Sequence, residues 1–169
     1  MASTLKDFIH RIDDKLHMHL LPSHRLDFIG DVHGYAIELE MLLTKMGYQH
    51  NYGTWHHPEA KAVFVGDMIN RGPHSRKVIQ IVRSMVDAGS AYAILGNHEI
   101  NAILYFTKRN NGLPIRLPGP ANKKMLDRIR LEYNNDKELE HDIKWLRKLP
   151  LYYDFDKVRV VHAYWNQNH

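Results

Sequence analysis

The sequence has no cysteine among its 169 residues, so disulfide frameworks and thiolate metal sites are excluded. It has no uncharged apolar run of the length that a membrane span or a signal peptide needs, and its first twenty residues carry several charges. It also lacks a run of basic residues interleaved with aromatic residues, so nucleic-acid binding is not favoured. These absences predict a cytoplasmic protein without a membrane partner.

The bulk composition is that of one globular domain. With 169 residues, 44% of them hydrophobic and 25% charged, the chain is long enough to bury one core and short for two. The formal net charge of +4 is mildly basic and suits an anionic substrate. We expect a helix over residues 1–22 and one domain over residues 23–169, and the oligomeric state stays open.

Three short blocks of glycine and polar residues carry most of the functional information. Residues 30–34 are Gly-Asp-Val-His-Gly, residues 66–72 are Gly-Asp-Met-Ile-Asn-Arg-Gly, and residues 96–99 are Gly-Asn-His-Glu. Each block follows an apolar, β-branched run and precedes a helical pattern, which indicates a strand, a tight turn and a helix. Because parallel strands present such turns along one edge of a sheet, the polar residues of the three blocks are predicted to meet.

The remaining sequence predicts further helices and two pairs of strands. Apolar spacing predicts helices over residues 5–20, 36–46, 78–88, 123–133 and 137–148. Residues 48–61 are predicted to form a hairpin-like connection, and residues 110–120, rich in proline and glycine, a loop. Two strands over residues 151–155 and 158–161 are predicted to pair as a hairpin, and the second strand leads into His162.

The polar residues of the three blocks are of the types that bind hard or borderline metal ions. Hydrolysis of a phosphate ester needs a nucleophilic oxygen and positive charge at the phosphate, and two divalent ions about 3.5–4 Å apart supply both. Asp31 and His33 can turn toward one ion. Asp67 can bridge two ions, and Asn97 offers a neutral amide oxygen. Considered one at a time, each of these residues could instead be a helix cap or an ordinary surface residue. Considered together, they favour a metal site.

In this order the three blocks resemble the motifs of the calcineurin-like metallophosphoesterase superfamily, above all its phosphoprotein phosphatase and bacterial diadenosine-tetraphosphatase-like branches. The similarity covers residues 26–165. The resemblance implies an α/β fold, a β-sandwich flanked by helices in αββα layers. It also implies two divalent metal ions, manganese ahead of iron or zinc. The implied activity is hydrolysis of phosphate monoesters or dinucleoside polyphosphates by attack of a metal-bridging hydroxide.

Matched position by position, the resemblance implies five metal ligands. The first metal ion takes Asp31, His33 and Asp67. The second takes Asp67, Asn97 and His162, so that Asp67 bridges the two ions. His162 matches the histidine that follows a strand in the family.

The resemblance also implies three residues that act on the substrate. His98 matches the histidine that protonates the leaving group, and Arg71 matches the arginine that binds the phosphate. In the plain alternatives, His98 caps a helix and Arg71 is a turn residue in an ion pair. Asn70 stands where the family usually has an aspartate that orients the histidine. An amide can accept a hydrogen bond from imidazole but cannot stabilise its charged form, so we expect reduced activity.

A second departure from the family concerns the end of the chain. The family supplies a further histidine well downstream of the segment that matches His162, and this sequence ends at His169. His169 lies too near His162 to be assumed a substitute. We therefore expect an amino-terminal part of the family fold, incomplete at its carboxyl end.

Three hypotheses stay open at this point. The leading one is a metal-dependent phosphoesterase whose substrate is a phosphoprotein or a nucleotide. The alternative is a metal-binding, catalytically impaired relative or fragment with a regulatory or interaction role, which Asn70 and the missing histidine favour. Hydrolysis of nucleic acid within the same superfamily ranks third, because the sequence shows no basic groove.

Overall fold

A three-stranded parallel sheet forms the centre of the computed structural model, which describes residues 24–165. Its strands are β1 (Arg25–Ile29), β4 (Ala60–Phe64) and β5 (Ala91–Ala93), in the spatial order β1–β4–β5. The other elements are, in chain order, α1 (Ala36–Lys45), β2 (Gln49–Asn51), β3 (Thr54–His56), α2 (Ser75–Asp87), α3 (Asn97–Phe106), α4 (Pro120–Arg130), α5 (Asp136–Leu146), β6 (Tyr152–Asp154) and β7 (Arg159–Val161).

The central strand β4 is buried on both faces, as a parallel sheet requires. Ala62 and Phe64 belong to the main hydrophobic core, which also contains the buried faces of the helices. Val63 lies between these two residues in the strand, so its side chain points to the opposite face. There it packs with Phe155, in the turn of the β6–β7 hairpin, and with Val160 of β7. This alternation along one strand places helices on one side of the sheet and the antiparallel hairpin on the other.

The mixed α/β architecture, with a parallel sheet flanked by helices, is confirmed. The predicted hairpins are the antiparallel pairs β2–β3 and β6–β7, and residues 110–119 form a loop before α4. The predicted helix over residues 1–22 lies outside the described residues. Within residues 24–165, no helix combines the length and the apolar character needed to cross a membrane.

Two helices begin three residues earlier than predicted. Helix α2 begins at Ser75 rather than at residue 78, because the backbone N–H groups of Ser75 and Arg76 find an acceptor in the side chain of Glu132. Helix α4 begins at Pro120 rather than at residue 123. Proline is compatible with the first helical turn, where its missing N–H has no intrahelical partner to lose.

Candidate metal centre

The loops that follow β1, β4 and β5 meet at the carboxyl edge of the parallel sheet, and the segment after β7 joins them there. This edge is where parallel α/β sheets place their sites. The structure brings the side chains of seven of the predicted residues into one network of contacts: Asp31, His33, Asp67, Asn70, Asn97, His98 and His162.

Asp67 lies at the middle of this network and is almost completely buried, with 3% of its surface exposed. Its Oδ2 is 3.9 Å from Nε2 of His33 and 3.8 Å from Nε2 of His98. Its Oδ1 is 3.5 Å from Nε2 of His162. The ligand atoms of His33, Asp67 and His98 all lie within 4.8 Å of one another. One carboxylate therefore faces three imidazoles.

The protonation of two of these rings follows from their backbone partners. Nδ1 of His33 lies 3.1 Å from the carbonyl oxygen of Ile69, and Nδ1 of His162 lies 2.7 Å from that of Val65. A carbonyl oxygen can only accept a hydrogen bond, so each Nδ1 carries a proton, and in the neutral form of each ring Nε2 then presents a lone pair. Both lone pairs are thereby directed toward the Asp67 carboxylate.

Two further oxygen donors lie at the exposed side of the cluster. Oδ2 of Asp31 is 3.3 Å from Nε2 of His33, and Oδ1 of Asn97 is 3.2 Å from Nε2 of His162. Asp31 and Asn97 are both exposed, whereas Asp67 and His33 are buried. The donor set is thus closed toward the protein and open toward solvent on one side, as a catalytic metal site requires.

Backbone hydrogen bonds tie the three loops together around Asp67. The carbonyl oxygen of Asp67 accepts from the N–H groups of Val32 and His33, at 3.1 and 2.9 Å. Its side-chain Oδ1 accepts from the N–H of His98 at 3.0 Å. Because the same residue is bonded to the first and third loops, the relative positions of these side chains are fixed by the fold.

The backbone of these loops is strained at four positions. His33, Asp67, Asn70 and Arg71 have φ values of 48°, 50°, 72° and 62°. The left-handed region costs a residue with a side chain of order 1 kcal/mol or more, and it persists only where the surroundings enforce it. The described part of the chain has six non-glycine residues with a positive φ, and four of them lie at this site.

Gly96 is required by the close approach of two loops. A Cβ atom at this position would collide with the backbone nitrogen and the carboxylate of Asp67. The absence of a side chain lets the start of α3 sit directly against Asp67, which brings Asn97 and His98 into the cluster.

Glu99 supports the site, although the sequence motifs did not assign it a role. This residue is 0% exposed, and its carboxylate accepts hydrogen bonds of 2.8–3.1 Å from the backbone N–H groups of Asp67, Met68, Ile69 and Gly96. Burial and the negative charge of Asp67 raise the pKa of Glu99, and the N–H groups of Gly96, Ile69 and Asp67 oppose that rise. The sequence did contain a signal for this role. Glu99 is the third residue of helix α3, and a glutamate at that position can accept a hydrogen bond from the backbone at the start of the helix.

Asn70 contacts the other ring nitrogen of His98, with Nδ2 lying 2.8 Å from Nδ1. We expected Asn70 to accept from the imidazole. In this structure the amide nitrogen faces the ring, so the amide donates and Oδ1 is buried without a hydrogen bond. Burial lowers the pKa of His98, and the negative charge of Asp67 offsets this only in part. Arg71, which the sequence placed beside these groups, is exposed, and its charge also lowers the pKa of His98.

Comparison with known proteins agrees with this geometry. The family model described as calcineurin-like phosphoesterase matches residues 24–168. The chain is 37% identical over 147 residues to the bis(5'-nucleosyl)-tetraphosphatase PrpE [asymmetrical] of Oceanobacillus iheyensis, covering 83% of this chain and 55% of that protein. It is 34% identical over 143 residues to the protein of the same name from Halalkalibacterium halodurans, covering 82% of this chain and 56% of that protein.

A solved structure shares the fold. The crystal structure of a candidate diadenosine tetraphosphatase superposes with a TM-score of 0.57 at 25% sequence identity, covering 86% of this chain and 52% of that one. The chain therefore spans about half the length of the curated relatives and of the solved structure that it matches.

Proposed function

Because the chain belongs to the calcineurin-like phosphoesterase family, we propose that its Asp, His and Asn cluster binds two divalent metal ions and serves phosphoester or phosphoanhydride hydrolysis. One observation carries the proposal. The Nε2 atoms of His33 and His162 approach the carboxylate of Asp67 while Nδ1 of each ring donates to a backbone carbonyl, so in the neutral rings two lone pairs face that carboxylate. Acceptors that face one another across about 3.5–4 Å repel unless a cation lies between them.

The residues present fit such a cation. Nε2 of His33 is buried and has no hydrogen-bond partner in the described structure. An unpaired buried nitrogen is unfavourable by about 1–3 kcal/mol, and a metal ion would satisfy it. Its Nδ1–H bond to a backbone carbonyl is the arrangement that commonly orients a histidine ligand.

The donor set favours a first-row divalent ion. Imidazole nitrogens and carboxylate oxygens suit manganese, iron and zinc alike, and no thiolate is available in this sequence. We propose manganese as the first choice. When bound, such ions polarise phosphoryl oxygens and lower the pKa of a coordinated water toward neutrality.

The distances support the division of ligands that the motifs implied. Asp31, His33 and Asp67 would hold one ion, since His33 contacts both carboxylates. Asp67, Asn97 and His162 would hold the second, since His162 contacts the other oxygen of Asp67 and the amide of Asn97. Asp67 would bridge the ions, with one oxygen directed to each set.

His98, Asn70 and Arg71 are proposed to act on the substrate. His98 lies beside the bridging carboxylate with its Nε2 toward the cluster, where it can donate a proton to a leaving oxygen. Asn70 holds the opposite nitrogen of the ring. Arg71 is exposed next to them and can bind two phosphate oxygens through its planar guanidinium group.

We propose a nucleoside polyphosphate as the substrate class, in preference to a phosphoprotein. The support is that both curated relatives carry the name bis(5'-nucleosyl)-tetraphosphatase. The cytoplasm remains the predicted location, on the composition without cysteine.

The test is hydrolysis by the purified chain with added manganese. We expect turnover of bis(5'-adenosyl) tetraphosphate and of p-nitrophenyl phosphate. We expect both activities to be lost in Asp67→Asn and kept in Asp87→Asn, which changes an exposed carboxylate in a helix ion pair. The alternative is a metal-binding relative without turnover, which the uncharged partner of His98 favours. Metal binding without hydrolysis of either substrate would select that alternative.

A further inference from the structure

A cavity of about 130 Å³ lies beside the candidate metal centre, between the loop after β4 and helix α4. Residues 70–73 and Ser75 line one side, and Met125, Arg128 and Ile129 of α4, together with Glu132, line the other. The loop side therefore contains two of the proposed substrate-binding residues, Asn70 and Arg71. The helix side adds a residue, Arg128, that no motif indicated.

Helix α4 is held firmly against this loop. The carboxylate of Glu132, just after α4, accepts from the backbone N–H groups of Ser75 and Arg76 at 3.1 and 2.8 Å. The Arg76 side chain returns a hydrogen bond of 3.2 Å to the carbonyl oxygen of Glu132 and lies 4.9 Å from the ring centre of Tyr133. Arg128, one helical turn before Glu132, is thereby kept over the cavity.

The charges around the cavity are unbalanced. Glu132 directs its negative charge to the amino end of α2, where two N–H groups receive it. Arg71 and Arg128 are exposed and make no side-chain hydrogen bond or ion pair within residues 24–165. The cavity therefore contains two guanidinium groups without a side-chain partner in the described part of the chain and one carboxylate, that of Glu132, whose oxygens are already bonded to backbone N–H groups. The surplus positive charge suits an anion with several oxygens.

The size of the cavity limits what it can take. At about 30 Å³ per water molecule, its volume corresponds to about four waters, which suits a single phosphate group. Sites for whole small molecules such as a nucleoside are larger, about 300–1,000 Å³. The cavity thus has room for one further phosphate of a chain and is too small to hold a whole nucleoside.

We propose that Arg128 binds a phosphate group adjacent to the one at the metal centre, with Arg71 placed between the two phosphates, so that the site selects a polyphosphate chain over a phosphate monoester. The inference rests on the proposed function, since it places the scissile phosphate at the metal centre. It assigns Arg128 as a specificity-determining residue on a helix outside the metal-binding loops.

The test compares Arg128→Gln with Arg130→Gln, a matched control on the same helix. Arg130 is exposed and, within residues 24–165, forms its one ion pair with Asp136 at the surface. We expect the ratio of kcat/KM for bis(5'-adenosyl) tetraphosphate to that for p-nitrophenyl phosphate to fall about tenfold in Arg128→Gln, the size of one charge-assisted hydrogen bond. The ratio stays unchanged in Arg130→Gln. An unchanged ratio in Arg128→Gln overturns the assignment.

A second measurement separates this inference from the proposed function. Calorimetric titration of metal-free protein with inorganic tripolyphosphate should show about tenfold weaker binding in Arg128→Gln than in the wild type, and equal binding in Arg130→Gln. If neither substrate is hydrolysed but this difference persists, hydrolysis fails and the anion subsite stands. Absent binding to the wild type, or equal weakening in both variants, overturns the subsite.

Discussion

The backbone N–H of Asp67 donates a hydrogen bond of 2.8 Å to the buried carboxylate of Glu99. The same carboxylate bonds Gly96, at the start of the third loop, at 2.9 Å. One buried side chain thus joins the loop that carries the proposed bridging ligand to the loop that carries Asn97 and His98.

Replacing Glu99 by glutamine should lower the free energy of unfolding by about 3 kcal/mol. The amide keeps the size of the side chain, but its NH₂ group faces N–H donors and leaves them unsatisfied. Urea denaturation checks this value. Glu140→Gln, which breaks an exposed ion pair with Lys144, is the control and should change stability by less than about 1 kcal/mol. Equal losses in the two variants would refute the role of Glu99.

Replacing Gly96 by alanine should displace Asp67 and weaken metal binding together with stability. The added Cβ meets the Asp67 backbone and carboxylate, and overpacking of this kind is unfavourable by about 1–3 kcal/mol. Gly119→Ala is the matched control, because a Cβ there meets no atom within 4 Å and its φ of −62° suits alanine. Metal titration and thermal unfolding of both variants give the answer. Unchanged metal affinity in Gly96→Ala would contradict the predicted collision.

Replacing Asn70 by aspartate should raise the pKa of His98, because a carboxylate would replace the amide 2.8 Å from Nδ1. In the present protein burial lowers that pKa, so the folded state loses the His98 proton more easily than the unfolded chain does. Its contribution to stability therefore declines as the pH falls below about 6.5.

In Asn70→Asp the loss of stability at low pH should be smaller than in the wild type. The kcat should rise severalfold, and the alkaline limb of its pH profile should move to higher pH. An NMR titration of the His98 ring in metal-free protein measures the pKa directly. Asn134→Asp, at an exposed position, is the control. An unshifted ring pKa and an unchanged pH profile would exclude Asn70 as the partner that sets the acid strength of His98.

Replacing His162 by alanine should reduce the metal content from two ions per chain to one. His162 joins Asp67 and Asn97 through its Nε2, whereas the contacts of His33 with Asp31 and Asp67 do not involve it. Elemental analysis after dialysis counts the ions. His141→Ala removes an exposed histidine and should keep both ions. Two ions in the His162 variant would remove this residue from the ligand set.

The sequence predicted those parts of the fold that local pattern determines. Alternating apolar residues around a short turn predicted the β6–β7 hairpin, and this hairpin delivers His162 to the cluster. Gly47, which follows the last residue of a helical apolar pattern, predicted the end of α1, and its φ is +91° in the structure. The start of α2 was predicted too late, because its first N–H groups are capped by Glu132, 57 residues along the chain from Ser75.

The meeting of the candidate ligand side chains was predicted, but the residues that support them were not. Asp31, His33 and Asp67 follow strands, so their meeting at the sheet edge could be foreseen. The role of Glu99 depends on four backbone N–H groups from two separate loops, which no local pattern shows. The orientation of the Asn70 amide and the position of Arg128 likewise depend on packing between distant segments.

The count of metal ions on the purified chain, compared between the wild type and Asp67→Asn, tests the central claim most directly. Both proposed ions share the Asp67 carboxylate, so the account predicts two manganese ions per wild-type chain and the loss of both in Asp67→Asn with the fold preserved. Equal metal content in the two proteins, or none in the wild type under manganese-saturating conditions, would contradict it.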